Sequence, residues 1–443
     1  MPYDFVIKNG RIVNEGSIQK ADIAVRRGRI DRIDENIDSQ AREVIADGEL
    51  IIPGIIDDQV HFREPGLTHK AEIYTEAQAG VAGGVTSYME MPNTKPPALT
   101  QDLLQEKYDI AARRSLANYS FYMGISNDNL EEVLKTDIRQ VCGLKAFMGS
   151  STGNMLVDDP ATLDNLFKNA HMLIATHCED ETTMKRRTQE YIERYGDRLT
   201  AAHHPEIRSR EGCLISSQTA VELAKKYDTR LHVLHISTAE ETHLFEAGDR
   251  NRKRITSEAC VHHLTFNSMH YEKLGNKIKC NPAIKNESDR RAIWKALHEG
   301  RIDVIATDHA PHTLEEKESP YMEAPAGLPL VQHTLYLMLK KVNEGEISLP
   351  FLVDKMCHAP ADLFDVKERG YLREGYFADL VIVDPDEIWT VDRSNILHKC
   401  GWSPLEGWRI QGKVKKTFVS GHLAYNDGKF NESRMGDRLV FDR

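Results

Sequence analysis

A set of polar residues recurs at the ends of short apolar runs along the chain. Each run begins with aliphatic residues and then carries His, Asn, Asp or Lys near its C-terminal end. The residues at these positions are His61, Asn93, Lys145, His177, His235, Asn281 and Asp308, and His312 follows in the next loop. A single such histidine is more often a hydrogen-bonded core or surface residue than a ligand. Four histidines and an aspartate in this arrangement indicate one shared site, and imidazole with carboxylate suits zinc or a similar divalent ion.

Lys145 is unusual because it lies in the otherwise apolar run VCGLKAFMG. Lysine is almost never fully buried without a partner. One interpretation is that the stem is buried while the amine reaches solvent. The other is a buried amine whose pKa is lowered, which could add carbon dioxide and become a carbamate that bridges two metal ions. The sequence leaves both interpretations open.

Three further side chains could handle a substrate. Asp308 ends a buried run, and beside a water activated by a metal it could take a proton and later return it. Arg63 offers a bidentate fork for a carboxylate. Asn93 can donate to and accept from an amide edge. Taken one at a time, Arg63 and Asn93 would be read as ordinary polar loop residues.

The runs that carry these residues alternate with longer amphipathic segments from about residue 54 to 365. Two of the helix-like segments are QDLLQEKYDIAARRSLA and SSQTAVELAKKYD. Such alternation predicts βα units and a parallel sheet. Eight runs over this length favour a (β/α)8 barrel, whose site lies at the C-terminal ends of the strands. A doubly wound open sheet is the alternative, but its Gly-rich fingerprint is missing.

Strand alternation also predicts which side chains share a face. Gln59, His61 and Arg63 should point the same way. His232 and His235 are three apart, so only one of them should face the barrel axis, and His235 lies nearer the strand end.

Both ends of the chain are rich in predicted strands. Residues 3–50 contain Asn9-Gly10 and Arg27-Gly28 as hairpin signals, and residues 370–443 contain Ser420-Gly421 and Asp427-Gly428. We therefore expect one small β domain, built from residues 1–53 and 366–443, beside a barrel of residues 54–365.

Composition excludes several classes of protein. The 443 residues carry a net charge of −11, which argues against non-specific nucleic-acid binding. No stretch approaches the length of a membrane span. The seven cysteines are scattered without a CxxC pair, which indicates reduced thiols. Because no signal-peptide pattern is present, we expect a cytoplasmic protein with no nucleic-acid or membrane partner.

Taken together, these segments resemble the dihydroorotases of the amidohydrolase superfamily, which also contains hydantoinases and allantoinases. The matching segments stand in that family's order over nearly the whole chain: PGIIDDQVHFREPG, GGVTSYMEMPNTKP, GLKAFMG, THCED, LHVLHIST, KCNPAIKNESDR, ATDHAPHTLEEK and REGYFADLVIVDPD. The resemblance implies a TIM-like barrel with a composite β-sandwich domain. It further implies a zinc enzyme with one or two ions per chain, a homodimer, and reversible cyclisation of N-carbamoyl-L-aspartate to dihydroorotate in pyrimidine synthesis.

The resemblance also implies roles for individual residues. The metal ligands would be His61, Lys145 as its carbamate, His177, His235 and Asp308, and Asp308 would also be the catalytic acid–base. The substrate contacts would be Arg63, Asn93, Asn281, His312 and Gly327, the last within the segment APAGLP.

The chain departs from the family pattern at two places. The usual Asp-x-His-x-His reads DDQVH at residues 57–61, so neutral Gln59 replaces one expected ligand. Some relatives bridge their metals with an aspartate after the fourth strand, where this chain reads GSSTG at residues 149–153. Lys145 is then the only bridging candidate. We therefore expect one ion to bind well at Lys145, His177 and His235, and a second ion near Gln59 to bind more weakly.

Two other functions stay open on the sequence. A hydantoinase- or allantoinase-type enzyme would share the lysine and the histidines but would give Arg63 no task. A metal-poor, inactive homologue could act as a structural partner of another pyrimidine-pathway enzyme, such as aspartate transcarbamoylase. Gln59 favours that hypothesis. Four residues argue against it, because an inactive site has no need of them: Lys145, His177, His235 and Asp308.

Overall fold

The computed structural model describes residues 2–149 and 154–443 of the chain. Its N-terminal region is built from five strands: β1 Phe5–Asn14, β2 Ser17–Arg26, β3 Arg29–Asp34, β4 Glu43–Ile45 and β5 Leu50–Pro53. The hairpin predicted at Arg27-Gly28 is confirmed, since β2 and β3 are antiparallel across it.

The hairpin predicted at Asn9-Gly10 is wrong, because β1 runs through these residues and its register with β2 shifts between Ile7 and Gly10. A β-bulge of this kind uses the same positive φ that a tight turn needs, and Asn9 has a φ of 61°. A side chain at residue 10 would also collide with Ile51, whose Cδ1 lies 2.1 Å from the position of a Cβ there.

The barrel follows, with strands β6 Ile55–Val60, β7 Val85–Glu90, β8 Asn118–Phe121, β9 Met123–Gly124, β10 Leu144–Phe147, β11 Ile174–His177, β12 Leu231–Val233, β13 Ile255–Cys260 and β14 Val304–Ala306. Only Tyr122 separates β8 from β9, which act as one interrupted strand. Neighbouring strands are parallel. The barrel closes where the His61 N–H donates to the His309 carbonyl over 2.7 Å. The predicted (β/α)8 barrel with its added β domain is confirmed.

The α-helices of the described residues connect and cover these strands. They are α1 Ile73–Ala82, α2 Gln101–Arg114, α3 Leu130–Val133, α4 Pro160–Asn169, α5 Glu181–Tyr195, α6 His204–Ile207, α7 Arg210–Tyr227, α8 Val261–Thr265, α9 Tyr271–Leu274, α10 Glu287–His298, α11 Leu314–Glu318, α12 Thr334–Asn343, α13 Leu349–Val353 and α14 Ala359–Leu363. The two helices predicted from sequence are α2 and α7. Thr100 and Ser209 cap them by accepting backbone N–H groups. Within the described residues, no helix combines the length and the apolar character that a membrane crossing needs.

The C-terminal strands complete the first sheet. They are β15 Leu380–Thr390, β16 Arg409–Val419, β17 His422–Asn426 and β18 Lys429–Phe430. Because β15 pairs antiparallel with β5, the strands run in the order β18-β17-β16-β15-β5-β1-β2-β3. Both ends of the chain therefore share one sheet, whose buried face includes Ile7, Ile23, Leu380 and Phe418. The domain boundaries at residues 53 and 365 stay a prediction.

A buried ion pair joins this sheet to the barrel. Arg369 pairs with Asp379, and their side chains are 3% and 2% exposed. Asp379 also accepts hydrogen bonds from the Ser420 backbone N–H at 2.6 Å and from the side chain of Asn118 in β8 at 3.2 Å. The carboxylate is fully compensated only while Arg369 is present.

We expect the substitution Arg369→Met to lower the free energy of unfolding by about 3–5 kcal/mol, because it leaves the Asp379 carboxylate buried and unpaired. Urea titration followed by circular dichroism measures the change. Arg373→Met is the matched control, since Arg373 and Glu15 form an ion pair whose side chains are 41% and 45% exposed, and its loss should cost at most about 1 kcal/mol. Equal losses in the two variants would contradict the assigned role.

Candidate metal and active site

A cavity of about 100 Å³ opens at the C-terminal ends of the barrel strands. Nine residues singled out from the sequence line it: His61, Arg63, Asn93, Lys145, His177, His235, Asn281, Asp308 and Gly327. Gln59 lines it too, so Gln59, His61 and Arg63 do share a face as alternation predicts. A larger cavity of about 550 Å³ lies outside the barrel against α4, α5 and α7, and none of these residues reaches it.

Lys145 lies at the base of this cavity in β10. Its side chain is 1% exposed, and Nζ has no hydrogen-bond partner among the described residues. Burial lowers the pKa of the amine to about 7. The interpretation that the amine reaches solvent is therefore wrong. The segment GSSTG at residues 149–153 offers no second bridging ligand by sequence. Residues 150–153 of this segment lie outside the described residues.

His177 and His235 face each other across the cavity floor. Nδ1 of His177 lies 3.0 Å from Nε2 of His235, and burial lowers the pKa of both rings. The other nitrogen of His177, Nε2, lies 2.8 Å from Glu179, which is paired in turn with Arg208. A carboxylate behind a histidine fixes the ring and leaves the opposite nitrogen free to bind a metal.

His61 and Asp308 form a second group of donors. Asn93 Oδ1 lies 2.7 Å from Nδ1 of His61, whose Nε2 lies 3.1 Å from Oδ1 of Asp308. Burial alone would raise the pKa of Asp308, but the contact with His61 outweighs it, and the pKa lies below its ordinary value. Asp308 is therefore ionised at neutral pH.

Gln59 contacts Asp308 through its amide nitrogen, which donates to Oδ1 over 3.1 Å. Its Oε1 lies 3.6 Å from the thiol of Cys260. Gln59 thus acts as a hydrogen-bond donor to Asp308 at the position where the family pattern has a histidine.

These donors suit a divalent ion. The set comprises a buried amine without a hydrogen-bond partner among the described residues, two imidazoles that face each other, and an ionised carboxylate beside a third imidazole. All of these groups can bind a cation, the amine as its carbamate. As its carbamate, Lys145 would add an anionic oxygen ligand. The neutral amide of Gln59 makes the half of the site around His61 the poorer one for zinc.

Arg63 lines the opposite side of the cavity. Its Nε donates to the Pro311 carbonyl at 3.1 Å, and Nη2 lies 3.0 Å from Nε2 of His312. No carboxylate of the described residues lies within ion-pairing distance. Burial lowers the pKa of the guanidinium to about 10, so it stays charged at neutral pH. His312 does not line the cavity, and its contact with Arg63 lies behind it.

Gly327 closes the cavity from the loop after β14. Its φ is 142°, and a Cβ there would lie 2.3 Å from the Ala310 carbonyl oxygen. Its N–H donates to the Lys279 carbonyl over 2.8 Å. Only glycine fits this position, so the loop backbone itself forms part of the cavity wall.

One prediction from alternation is wrong. His232 contacts Asp58 of the non-adjacent strand β6, so it lies inside the barrel together with His235. Strand β12 ends at Val233, and His235 adopts a φ of 40°. Because the strand stops before His235, the two-residue period no longer holds.

Sequence reasoning missed the residues that hold the predicted ligands. Glu179 supports His177, and Glu258 accepts the backbone N–H of His235 over 3.0 Å. Glu179 stands two residues after His177 in THCED, so its position along the chain was a usable signal. Glu258 comes from another strand, and no local pattern connects it to His235.

Comparisons with known proteins agree with this architecture. A model of the Amidohydrolase family matches residues 50–424. The chain is 32% identical to a dihydroorotase of Pyrococcus abyssi over 97% of both chains. It is 28% identical to an allantoinase of Salmonella choleraesuis over 96% of both. Among solved structures, an L-hydantoinase (dihydropyrimidinase) from Arthrobacter aurescens superposes with a TM-score of 0.92 at 27% identity, covering 99% of this chain and 100% of the other.

The lowered pKa of Lys145 predicts a pH dependence for the protein stripped of metal and bicarbonate. Between about pH 7 and 10 the unfolded chain binds one more proton than the folded one, so the free energy of unfolding should rise with pH by about 1.4 kcal/mol per unit. Lys145→Met should lack this rise. At pH 7 the free energy of unfolding of Lys145→Met should therefore exceed that of the wild type by a few kcal/mol. This difference should shrink to zero toward pH 10, where the amine is neutral or nearly so in both states.

Denaturant titrations at pH 7, 8 and 9 measure this gap. Lys295→Met is the control, because the Lys295 side chain is 77% exposed and should show no such dependence. A gap for Lys145→Met that stays constant with pH would show that the amine remains charged in the folded state.

Metal titration tests the inequality of the two halves of the site. In the cavity, we expect one Zn²⁺ to bind tightly and a second to bind at least about tenfold more weakly in the wild type. Gln59→His should tighten the second step by about tenfold or more, since imidazole replaces a neutral amide. Isothermal calorimetry with metal analysis gives both constants, with Gln59→Leu as the control that adds no ligand. Two equally tight ions in the wild-type cavity would contradict this expectation.

Proposed function

The chain belongs to the amidohydrolase family and is a cyclic amidohydrolase, and we propose that it is a zinc-dependent dihydroorotase. In this role it would interconvert N-carbamoyl-L-aspartate and dihydroorotate in pyrimidine synthesis. The Pyrococcus abyssi relative named dihydroorotase supports the assignment at 32% identity. We further propose that residues 54–365 carry the site and that the β domain comprises residues 1–53 and 366–443.

The observation that carries this proposal is the buried charge of Arg63, which has no ion-pair partner among the described residues. Its side chain is 8% exposed and lines the cavity, yet no described carboxylate pairs with it. A buried cation without an anion is costly. A substrate carboxylate would supply the missing partner through a bidentate contact, and both dihydroorotate and carbamoyl aspartate carry one.

The remaining polar residues of the cavity divide the other tasks. Asn93 and Asn281 can each donate to and accept from the amide edges of the ring or of the carbamoyl group. Gly327 brings loop backbone next to the same space. His312 holds Arg63 from behind and is a positioning residue in this scheme.

Asp308 moves the proton. In ring opening, a water adds to the amide carbonyl carbon and its proton passes to Asp308; the carbon–nitrogen bond then breaks, and Asp308 returns the proton to the departing nitrogen. Ring closure follows the same steps in reverse and releases water. His61, Lys145, His177 and His235, with Asp308, would hold the metal, which supplies the Lewis acidity that activates water and polarises the carbonyl.

A hydantoinase-type function is the second candidate, and the structural likeness to the L-hydantoinase favours it. Hydantoin rings need not carry a carboxylate, and such a substrate would leave Arg63 unpaired. Purified protein supplied with Zn²⁺ and bicarbonate should therefore interconvert carbamoyl aspartate and dihydroorotate. Folded, metal-loaded protein without that activity would refute the dihydroorotase assignment and leave the inactive homologue as the better reading.

The substitution Arg63→Met separates the two enzymes. We expect kcat/KM for dihydroorotate to fall about 10- to 150-fold, which corresponds to losing a charged hydrogen-bonded contact of about 1.5–3 kcal/mol. For dihydrouracil, which is the same ring without the carboxylate, kcat/KM should change by less than about threefold. Such a change is well below the effect of losing one charged hydrogen-bonded contact. Arg187→Met in α5, outside the barrel, is the control. No loss on either substrate would favour the hydantoinase-type alternative, in which Arg63 has no task.

A further inference from the structure

Three polar side chains meet inside the barrel below the cavity. Asp58 lies in β6, His232 in β12 and Glu258 in β13, and all three are fully buried. Strand β14 lies between β13 and the closing strand β6, so Asp58 reaches the other two across the barrel interior. Asp58 and His232 each stand three residues before a predicted metal ligand, His61 and His235, so this group lies nearer the N-terminal ends of the strands than the cavity does.

Their facing atoms lack hydrogen bonds. Nε2 of His232 lies 3.4 Å from Oδ2 of Asp58 and 3.5 Å from Oε2 of Glu258. Among the described residues, none of these three atoms has a hydrogen-bond partner, and neither does Oδ1 of Asp58. Two carboxylates in an apolar interior would carry a large desolvation cost unless a cation compensates them.

The spacing matches ligands around a metal ion better than an ion pair. Charge-assisted N–H···O bonds are about 2.7–2.9 Å long, shorter than both distances here. Ligands placed about 2.1 Å from a tetrahedral ion are about 3.4 Å from one another. One ligand atom from each of the three residues lies within 4.8 Å of the other two.

The second nitrogen of His232 supports this reading. Thr256 Oγ1 lies 2.9 Å from Nδ1 of His232, and the hydroxyl donates its own proton to the Leu231 carbonyl at 3.2 Å. The hydroxyl must therefore accept from Nδ1–H, and Nε2, which faces both carboxylates, is the nitrogen that a metal ion would bind. Metal-binding histidines are oriented in this way.

The local charge also calls for a cation. Burial alone would lower the pKa of His232, but the two carboxylates outweigh it and raise the pKa to about 9. Burial and the neighbouring Asp58 raise the pKa of Glu258 to about 7, so without a metal ion Glu258 gives up part of its charge. A divalent ion with a neutral imidazole balances both carboxylates in their ionised form.

Another buried cluster shows what a compensated carboxylate looks like in this protein. Glu76 lies close to His309 and His398. It accepts hydrogen bonds from the His398 ring at 3.2 Å, the Thr75 hydroxyl at 2.9 Å and the Lys399 backbone N–H at 3.0 Å. The Glu76 carboxylate is therefore compensated without a metal ion. The side-chain oxygens of Asp58 accept no hydrogen bond from the described residues.

We propose that Asp58, His232 and Glu258 form an interior metal site for a divalent transition-metal ion of the Zn²⁺, Mn²⁺ or Fe²⁺ class, separate from the metal site of the cavity. Imidazole with two carboxylates is a donor set that these ions accept. The remaining oxygen of Glu258, Oε1, accepts the His235 backbone N–H over 3.0 Å. An ion that fixes Glu258 would therefore also fix the backbone at His235 in the cavity floor.

Metal analysis of the full-length protein tests this proposal. Protein stripped with a chelator and reloaded with Zn²⁺ should retain one equivalent per chain more in the wild type than in the isosteric variant Asp58→Asn. Asp303→Asn is the matched control, because Asp303 is equally buried but pairs with Lys253 at 2.7 Å; it should retain the wild-type content. Equal zinc content in the wild type and Asp58→Asn would overturn the proposal in favour of an imidazolium held between two carboxylates.

A second measurement needs no variant. Anomalous diffraction at the zinc edge from wild-type crystals should give a peak within about 2.3 Å of one atom of each of the three side chains. Density at the cavity with none at this position would overturn the proposal. Neither readout depends on turnover, so the outcome is independent of whether the protein acts on dihydroorotate.

Discussion

The cost of burying charge is the constraint on which the upper half of this barrel depends. Ionisable groups taken out of water must be neutralised, hydrogen-bonded or paired. Glu179 meets this requirement through Arg208 and His177, and Asp379 meets it through Arg369. Lys145 and Arg63 have no ion-pair partner among the described residues, and both line the same cavity. These are the two groups that an ion and an anionic substrate would contact.

Closure of the barrel brings the buried polar residues of the first and last strands together in one site. The hydrogen bond from the His61 backbone to the His309 carbonyl joins the first strand to the last. Asp308 is thereby brought beside His61 and Gln59, although about 250 residues separate them in the chain. Parallel strands also bring all their C-terminal ends to one face, so residues placed late in each apolar run meet there. The β domain, tied to β8 through Asn118 and Asp379, lies apart from this face.

The two halves of the cavity differ in electrostatic character. His177, His235 and Lys145 are buried donors whose pKa values are lowered by burial, and Glu179 fixes one ring. Around His61, an amide stands where the family pattern has an imidazole, and it donates to Asp308. The neighbouring position in the same strand carries Asp58, whose carboxylate enters the barrel interior. The same strand therefore has an amide, Gln59, in place of one imidazole of the cavity and a carboxylate, Asp58, deeper in the barrel.

The sequence by itself determined the barrel, the sharing of strands between the two ends and most of the cavity lining, because strand–helix alternation and the position of polar residues within each run are local patterns. It predicted the type and strand of Lys145, His177, His235 and Asp308, but it left open whether the Lys145 amine is buried. Only the tertiary structure decided that question, the inward position of His232 and the contacts of Glu258. These depend on where a strand stops, on a φ of 40° at His235 and on distances across the barrel interior. The physical reason is that desolvation and cross-barrel contacts are set by atoms brought together from distant parts of the chain, and no local pattern records them.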